Sequence, residues 1–465
     1  MSSLSANAWT GAAAAAGDLA ETAIQWAMQP SAGAARFLYA TTTDPRNWRD
    51  PTVGWGLIAA ENDVASIKDR AVGADLPESI RDLLAARPQS PVFRYRADLG
   101  IAYLRRYYAD GLAQDTATSG GERGTARGRL PQYLLIYGSP SQVPWSLQFY
   151  LNVAGFVGRL DLDEAALRNY VRALISDWAG NTADVNRPVA WSVDHGGGDI
   201  TTLMRKTIAE PIHAAWVADQ DIGKKAIGLF GATAKAAALK AALKAAKPSL
   251  IVTTSHGMTG PLDNPAVMKK QLGFLVDQDY ALVSDTDLLA EWQPNGAIWY
   301  AHACCSAGSD VITRFDGLVS AGSSVDQILK GIAALGAMVG PLPKGLLGAA
   351  KPLRAFVGHV EPTFDWTIKA ATGQPLTASI KRAFYTGMYR KQPETIGLAM
   401  DPTYRLAGEL FAQVEQAKRD MNSADPATRA SAKDNAIRAR LSALDRQSMV
   451  ILGDPTALLP PLKPS

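Results

Sequence analysis

The sequence predicts an α/β protein with a largely parallel sheet sandwiched between helices, and three observations carry that expectation. Short apolar runs end repeatedly in Gly, Ser or Pro, as buried parallel strands do where they enter a loop. Helix-forming segments separate those runs, the alternation that builds strand–helix–strand units. The third observation is bulk. A chain of 465 residues, 47% hydrophobic and 20% charged, can bury a core, and its length asks for two or three folding units.

In chain order, residues 1–112 read as a mixed N-terminal accessory unit. It is punctuated by Pro, anchored by scattered Trp and Tyr, and helical around Ile80–Ala86. Residues 113–129 (AQDTATSGGERGTARGR) hold few large apolar side chains and read as a linker or exposed loop. Strand–helix alternation then fills 130–390. Gln132–Gly138 is a strand that runs into Gly138, Ser139 and Pro140. A second strand ends at Leu160, and Asp161, Asp163 and Glu164 open the next helix, where its dipole favours acids. Arg187–Gly198 is a strand followed by a Gly triplet. Thr233–Ala246, rich in Ala and Lys, is a strong helix by propensity that stops at Lys247–Pro248. Ser249–Gly257 and Gly296–Gly308 are two further strands breaking into turns. Residues 391–465 form a helical tail, charged from Ala407 to Arg446 and ending, within Met449–Pro461, in a short strand and a Pro-rich stop.

A net charge of +3 gives no bulk pull toward nucleic acid or acidic membrane, and neither partner is expected. The longest apolar stretch, near Gly331–Leu342, is too short for a bilayer and contains Gly and Pro. The N-terminus has no basic region before its Ala run, and Asp18 and Glu21 interrupt it, which makes a poor secretory signal. The two cysteines, Cys304 and Cys305, are adjacent, so neither a disulfide framework nor a thiolate zinc site is available. The expectation is a reduced, cytoplasmic protein with no metal and no cofactor.

In a parallel sheet, reactive groups collect where strands end, because the loops there line a crevice. His256, in Thr254-Ser255-His256-Gly257-Met258, and Cys304, in Ala303-Cys304-Cys305-Ser306-Ala307-Gly308, each follow an apolar strand. A thiol that attacks a carbonyl needs an imidazole to take and return its proton. It also needs backbone N–H groups at an open turn for the oxyanion, and small residues let a carbonyl approach them. The competing reading is a buried thiol and a turn histidine. His195, before the Gly triplet, reads as part of a turn or a substrate-side loop, since no Gly-Lys-Ser/Thr follows for a phosphate loop. His302 lies two residues before Cys304 and could tune it or simply pack, and His359 reads as structural. No Gly-x-Ser-x-Gly or His-Glu-x-x-His is present.

Three blocks in this order, Ser255–Met258, Ala303–Ser309 and Val357–Glu361, resemble the caspase-like cysteine peptidases of clan CD. The resemblance is nearest to the gingipain-related and CHAT-like bacterial branch. Softer matches are Asp50–Gly56, Tyr137–Pro140, Val157–Leu160 and Leu452–Pro455. Cys305 stands where that branch has an aromatic residue, and Ser306 where it has a Gly. Counting Cys-x-x-Gly back from Gly308 selects Cys305, while the longer ungapped block selects Cys304. On a strand, neighbouring side chains point to opposite faces, so only one thiol can meet His256.

The resemblance implies a caspase-like three-layer sandwich and an endopeptidase with a His256/Cys304 dyad. His256 would be the general base, and the backbone N–H groups of Gly257 and Cys304 would form the oxyanion hole. It further implies protein substrates, an activating partner or small signalling molecule, and a regulated role in bacterial stress or antiphage defence. Cleavage after a basic residue would use an acidic pocket, with Asp277, Asp279, Asp285 and Asp310 as candidates. Arg123, Arg127 and Arg129 would then offer a self-cleavage site. The alternative is a catalytically silent caspase-like module that binds a signal or serves as a scaffold.

Overall fold

The computed structural model describes residues 3–29, 43–370, 372–389 and 392–462. In chain order the strands are β1 (Ser3–Trp9), β2 (Ala14–Asp18), β3 (Trp55–Ala60), β4 (Val92–Tyr95), β5 (Tyr103–Tyr107) and β6 (Ala113–Ala117). Then come β7 (Tyr133–Tyr137), β8 (Phe156–Leu160), β9 (Val189–Ser192), β10 (Ile227–Phe230), β11 (Leu250–Thr254) and β12 (Gly257–Met258). The rest are β13 (Leu275–Val276), β14 (Leu282–Val283), β15 (Ile298–His302), β16 (Gly308–Ser309), β17 (Met338–Val339), β18 (Ala355–His359) and β19 (Met449–Gly453).

Twelve of these strands form one mostly parallel sheet, in the order β10-β9-β11-β15-β18-β19-β8-β7-β3-β4-β5-β6. The expected α/β class is therefore present. Antiparallel pairing occurs where β19 joins β18 and at the β4-β5-β6 edge. The central strands read as continuous apolar runs because both of their faces are covered. Ile251, Trp299 and Ala301 point into one apolar layer, together with Leu239 and Leu243 of the helix Ala236–Ala246. Leu250, Val252, Ile298 and Tyr300 point into the other, against Ile212 and Trp216 of the helix Glu210–Ala218.

One expectation changes. The polar stretch 113–129 does not begin as a linker. Its first five residues are β6, an edge strand held by Arg105 on Asp115 at 2.7 Å. Charged side chains are a usual protection for an edge, and they made the segment look like a loop. Arg106 donates to the carbonyls of Thr125 and Ala126, which ties down the remainder. In the C-terminal segment, the helices Ile396–Asp420 and Pro426–Ser448 pack against each other and lead into β19. β19 lies inside the large sheet, between β18 and β8.

A small five-stranded sheet, β14-β13-β12-β1-β2, lies beside the large one. Its central strand is β12, and the N-terminal strand β1 runs parallel to it with Ala8 opposite Gly257 and Trp9 opposite Met258. Among the described residues, no helix is long and apolar enough to cross a membrane.

His302 and His359 end β15 and β18 and are wholly buried, with their rings 4.8 Å apart. Burial holds His302 well below its usual range, assisted by the neighbouring His359. Burial, with the Arg446 charge, brings His359 down to about 3. Between about pH 6.5 and that value the unfolded chain binds protons that the folded chain refuses, so stability falls as pH falls. The expected slope is about 1.4 kcal/mol per pH unit for each histidine. Urea denaturation of wild type and His359→Gln between pH 7 and pH 4 should show a shallower slope in the variant; equal slopes would contradict this account.

Candidate active site

Parallel neighbours in matched register bring their ends, and the loops that follow, to one place. Ser192 lies opposite Thr254, and Thr254 lies opposite His302. The loops that leave β9, β11 and β15 therefore start side by side. They carry His195 and Asp199, His256, and Cys304, in that order. The Ser192 and Thr254 hydroxyls bond at 2.6 Å, and the Ser255 N–H donates to the His302 carbonyl at 3.3 Å.

After β9 the chain turns through Gly196, Gly197 and Gly198, all with φ between +57° and +86°, a region that favours glycine. The turn returns the chain to Asp199, which caps the short helix Ile200–Met204. Asp199 Oδ1 accepts from the Thr201 N–H at 2.8 Å and from the Thr201 hydroxyl at 2.5 Å. Its Oδ2 lies 2.9 Å from His256 Nε2. Partial burial opposes the charge of this carboxylate. The His256 hydrogen bond and charge and the Thr201 bonds outweigh burial and bring the Asp199 pKa down to about 2. An ionised carboxylate can only accept, so His256 carries its proton on Nε2 when neutral. Its Nδ1 is buried and has no partner among the described residues.

The aromatic surroundings fix this imidazole. His195 stacks on His256 with ring centroids 5.5 Å apart, and Trp9 of β1 lies over it at 6.1 Å. Tyr280 stacks on both Trp9 and His195, at 4.4 Å and 4.3 Å. His195 Nε2 is 3.0 Å from the Asp277 carbonyl, and burial lowers the pKa of that ring.

Cys304 and Cys305 do not lie on a strand. β15 ends at His302, and both cysteines occupy a turn, with Cys305 at φ +55°. Strand alternation therefore does not distinguish them. Both are wholly buried in one apolar cluster with Leu4, Ala6 and Ala8 of β1. The Thr363 N–H donates to Cys304 Sγ at 3.3 Å. Burial pushes both thiols far above their usual range. Among the described residues neither thiol is hydrogen bonded to His256. The backbones do meet, since a Cβ on Gly257 would lie 1.9 Å from the Cys304 carbonyl oxygen and 2.9 Å from its nitrogen. The Gly257 and Cys304 backbones thus pack against each other, and only glycine fits at position 257.

β1 closes this contact from outside. The Asn7 N–H donates to the Thr363 carbonyl at 2.8 Å, and Asn7 Nδ2 to the His302 carbonyl at 3.4 Å. Thr363 thus holds the Cys304 thiol through its N–H and β1 through its C=O.

The acids expected around a specificity pocket separate into different roles. Asp277 is buried and accepts from the N–H groups of Ala236, Asp279 and Ala281, which organises a loop. Asp279 pairs with Lys235 at 2.8 Å. Asp285 begins the short helix Asp285–Leu289, packed against Gly345. Asp310 follows the cysteine turn and has no ion pair among the described residues; burial, with the Glu361 charge, raises its pKa. His302 bonds the Tyr300 hydroxyl through Nδ1 at 2.8 Å, and His359 packs against it. The Arg side chains of segment 113–129 are engaged. Arg127 pairs with Asp110, Arg129 with Glu122, and Arg123 donates to the Ala154 carbonyl.

Sequence reasoning passed over Asp199, Trp9, Tyr280 and Thr363. For Asp199 a signal existed: an acid closing a Gly triplet and followed by Ile-Thr-Thr reads as a helix cap at a strand end. Comparison with protein-family models, curated proteins and solved structures finds no match for this chain.

Gly257→Ala should destabilise the fold by at least about 3 kcal/mol, since neither backbone can yield to a Cβ so close. Thermal unfolding measures this, and a variant as stable as wild type would refute the contact.

Proposed function

We propose that the chain is a caspase-like cysteine endopeptidase held in a closed resting state. The observation that carries this reading is the Asp199–His256 pair. A carboxylate fixes the imidazole and leaves Nδ1 as a free base, at a strand end whose backbone touches the turn that bears Cys304. That is the orienter–base–nucleophile logic of acyl-transfer enzymes, in which the acid sets the tautomer and stabilises the imidazolium.

In the proposed cycle His256 Nδ1 takes the Cys304 proton, and the thiolate attacks the scissile carbonyl carbon. The oxyanion is held by the Gly257 and Cys304 N–H groups. The C–N bond breaks as His256 returns the proton to the leaving amine. Water, deprotonated by the same nitrogen, then releases the acyl group from sulfur.

The resting geometry explains why a free thiol can remain inert inside a cell. Under β1, Cys304 is desolvated and stays protonated, and a neutral thiol is a poor nucleophile. Lifting β1 would rehydrate the thiol and free the outer edge of β12 for a peptide. This supports activation by a partner or small signal, and a regulated effector role suits such a latch. For the residue before the cut, Asp310 is the candidate to receive a basic side chain, because it makes no ion pair among the described residues and lies just beyond the cysteine turn.

Two measurements test the reading. Ala8→Glu puts a carboxylate into a fully buried position of β1, and burying an unpaired charge costs several kcal/mol. A peptidyl chloromethyl ketone should then alkylate Cys304 at least about tenfold faster than in wild type, with Cys305 untouched and far-UV circular dichroism unchanged. Labelling at Cys305 alone, or none in either protein, would end the proposal. Once the enzyme is active, Asp310→Asn should remove its preference for Arg or Lys in a peptide library. An unchanged profile would exclude Asp310.

A further inference from the structure

We infer that His195, Asp199 and His256 form a binding site for one divalent transition-metal ion of the zinc or cobalt type. One donor atom from each of the three side chains lies within 4.8 Å of the other two. Ligands on a tetrahedral zinc at about 2.1 Å sit about 3.4 Å apart, so small rotations of two imidazoles and a carboxylate close the set. Two nitrogens and one carboxylate oxygen suit borderline metals rather than calcium or magnesium.

The state of each group favours metal. His195 Nε2 faces a carbonyl and must donate to it, which leaves Nδ1 with its lone pair, buried and without a partner. His256, wholly buried, already has Nε2 2.9 Å from Asp199 Oδ2, so an ion would replace the proton between them. Metal-binding histidines are commonly oriented by a carbonyl on the opposite nitrogen, and His195 has one. Thr201 holds the Asp199 carboxylate from behind through Oδ1. Trp9 and Tyr280 wall the rings, while the open loop Gly196–Gly198, with no neighbouring atoms in Cβ reach, gives an ion a way in. Metal on His256 Nε2 would move the ring proton to Nδ1, the lone pair that the peptidase reading assigns to the base. Its effect as an inhibitor rests on that reading; the binding itself does not.

The test uses the full chain and cobalt(II) alone, read by absorption without any turnover. One equivalent should produce the visible d–d bands of a tetrahedral ion, without a thiolate-to-cobalt charge-transfer band, and zinc should displace it. His195→Ala should weaken binding by at least about tenfold, and Asp199→Asn should do the same, whereas His213→Ala should bind as wild type does. Folding of each variant is checked by circular dichroism. Absence of d–d bands, bands that survive both substitutions, or a thiolate charge-transfer band would overturn the site. If Cys304 never alkylates but cobalt binds as described, the peptidase reading fails and the metal site stands; the reverse result separates them equally.

Discussion

Matched register between parallel neighbours is the constraint from which the site follows. Because β9, β11 and β15 pair with Ser192, Thr254 and His302 in one row, three loops leave the sheet within reach of each other. The loops themselves contain little apolar mass. Their positions are set by strands whose side chains fill two cores, one on each side of the sheet. A slip of one residue in β11 would turn Ile251 and Val252 to the wrong layers, so register is protected by burial along the whole strand. Site geometry is thus secured by residues that take no part in the chemistry.

In the proposed peptidase, closure by β1 adds a second layer of control on the same edge. The strand is stitched in by backbone bonds to Thr363 and by pairing with β12, and it contributes Leu4, Ala6 and Ala8 to the cluster around the thiols. These side chains are small, apart from Leu4, so the strand gains modest hydrophobic stabilisation and fits closely over the cysteine turn. Small residues give a cover that seals a backbone cleft without the large burial that would make release prohibitive. The Trp9 ring over His256 then makes closure of the thiol and shielding of the imidazole a single event.

The α/β class was legible because fully buried parallel strands leave continuous apolar runs, and each segment from Gln132 onward that was expected to be a strand contains one. The positions of His256 and Cys304 just beyond strand ends were legible for the same reason, since each follows the point where such a run stops. What the sequence could not convey was everything carried by long-range pairing. Trp9 and Thr363 reach the site from opposite ends of the chain, and nothing local in either segment announces it. Residues 113–129 misled because an edge strand and a loop share a polar composition, and the cysteine pair misled because a turn with Cys305 at positive φ does not obey strand alternation. Asp199 lay between these cases. Its capping role was readable, but its partner depended on strand order.

Gly257 connects these levels. Its missing side chain lets β12 approach the cysteine turn to backbone contact, and the same approach allows β12 to pair with β1 on one side and β13 on the other. Any Cβ at this position would push the backbone that follows His256 away from the cysteine turn. In the proposed peptidase, chemistry and closure would therefore draw on one steric fact, and a chain that kept His256, Asp199 and Cys304 but not this glycine would keep the side chains without the means to bring them together.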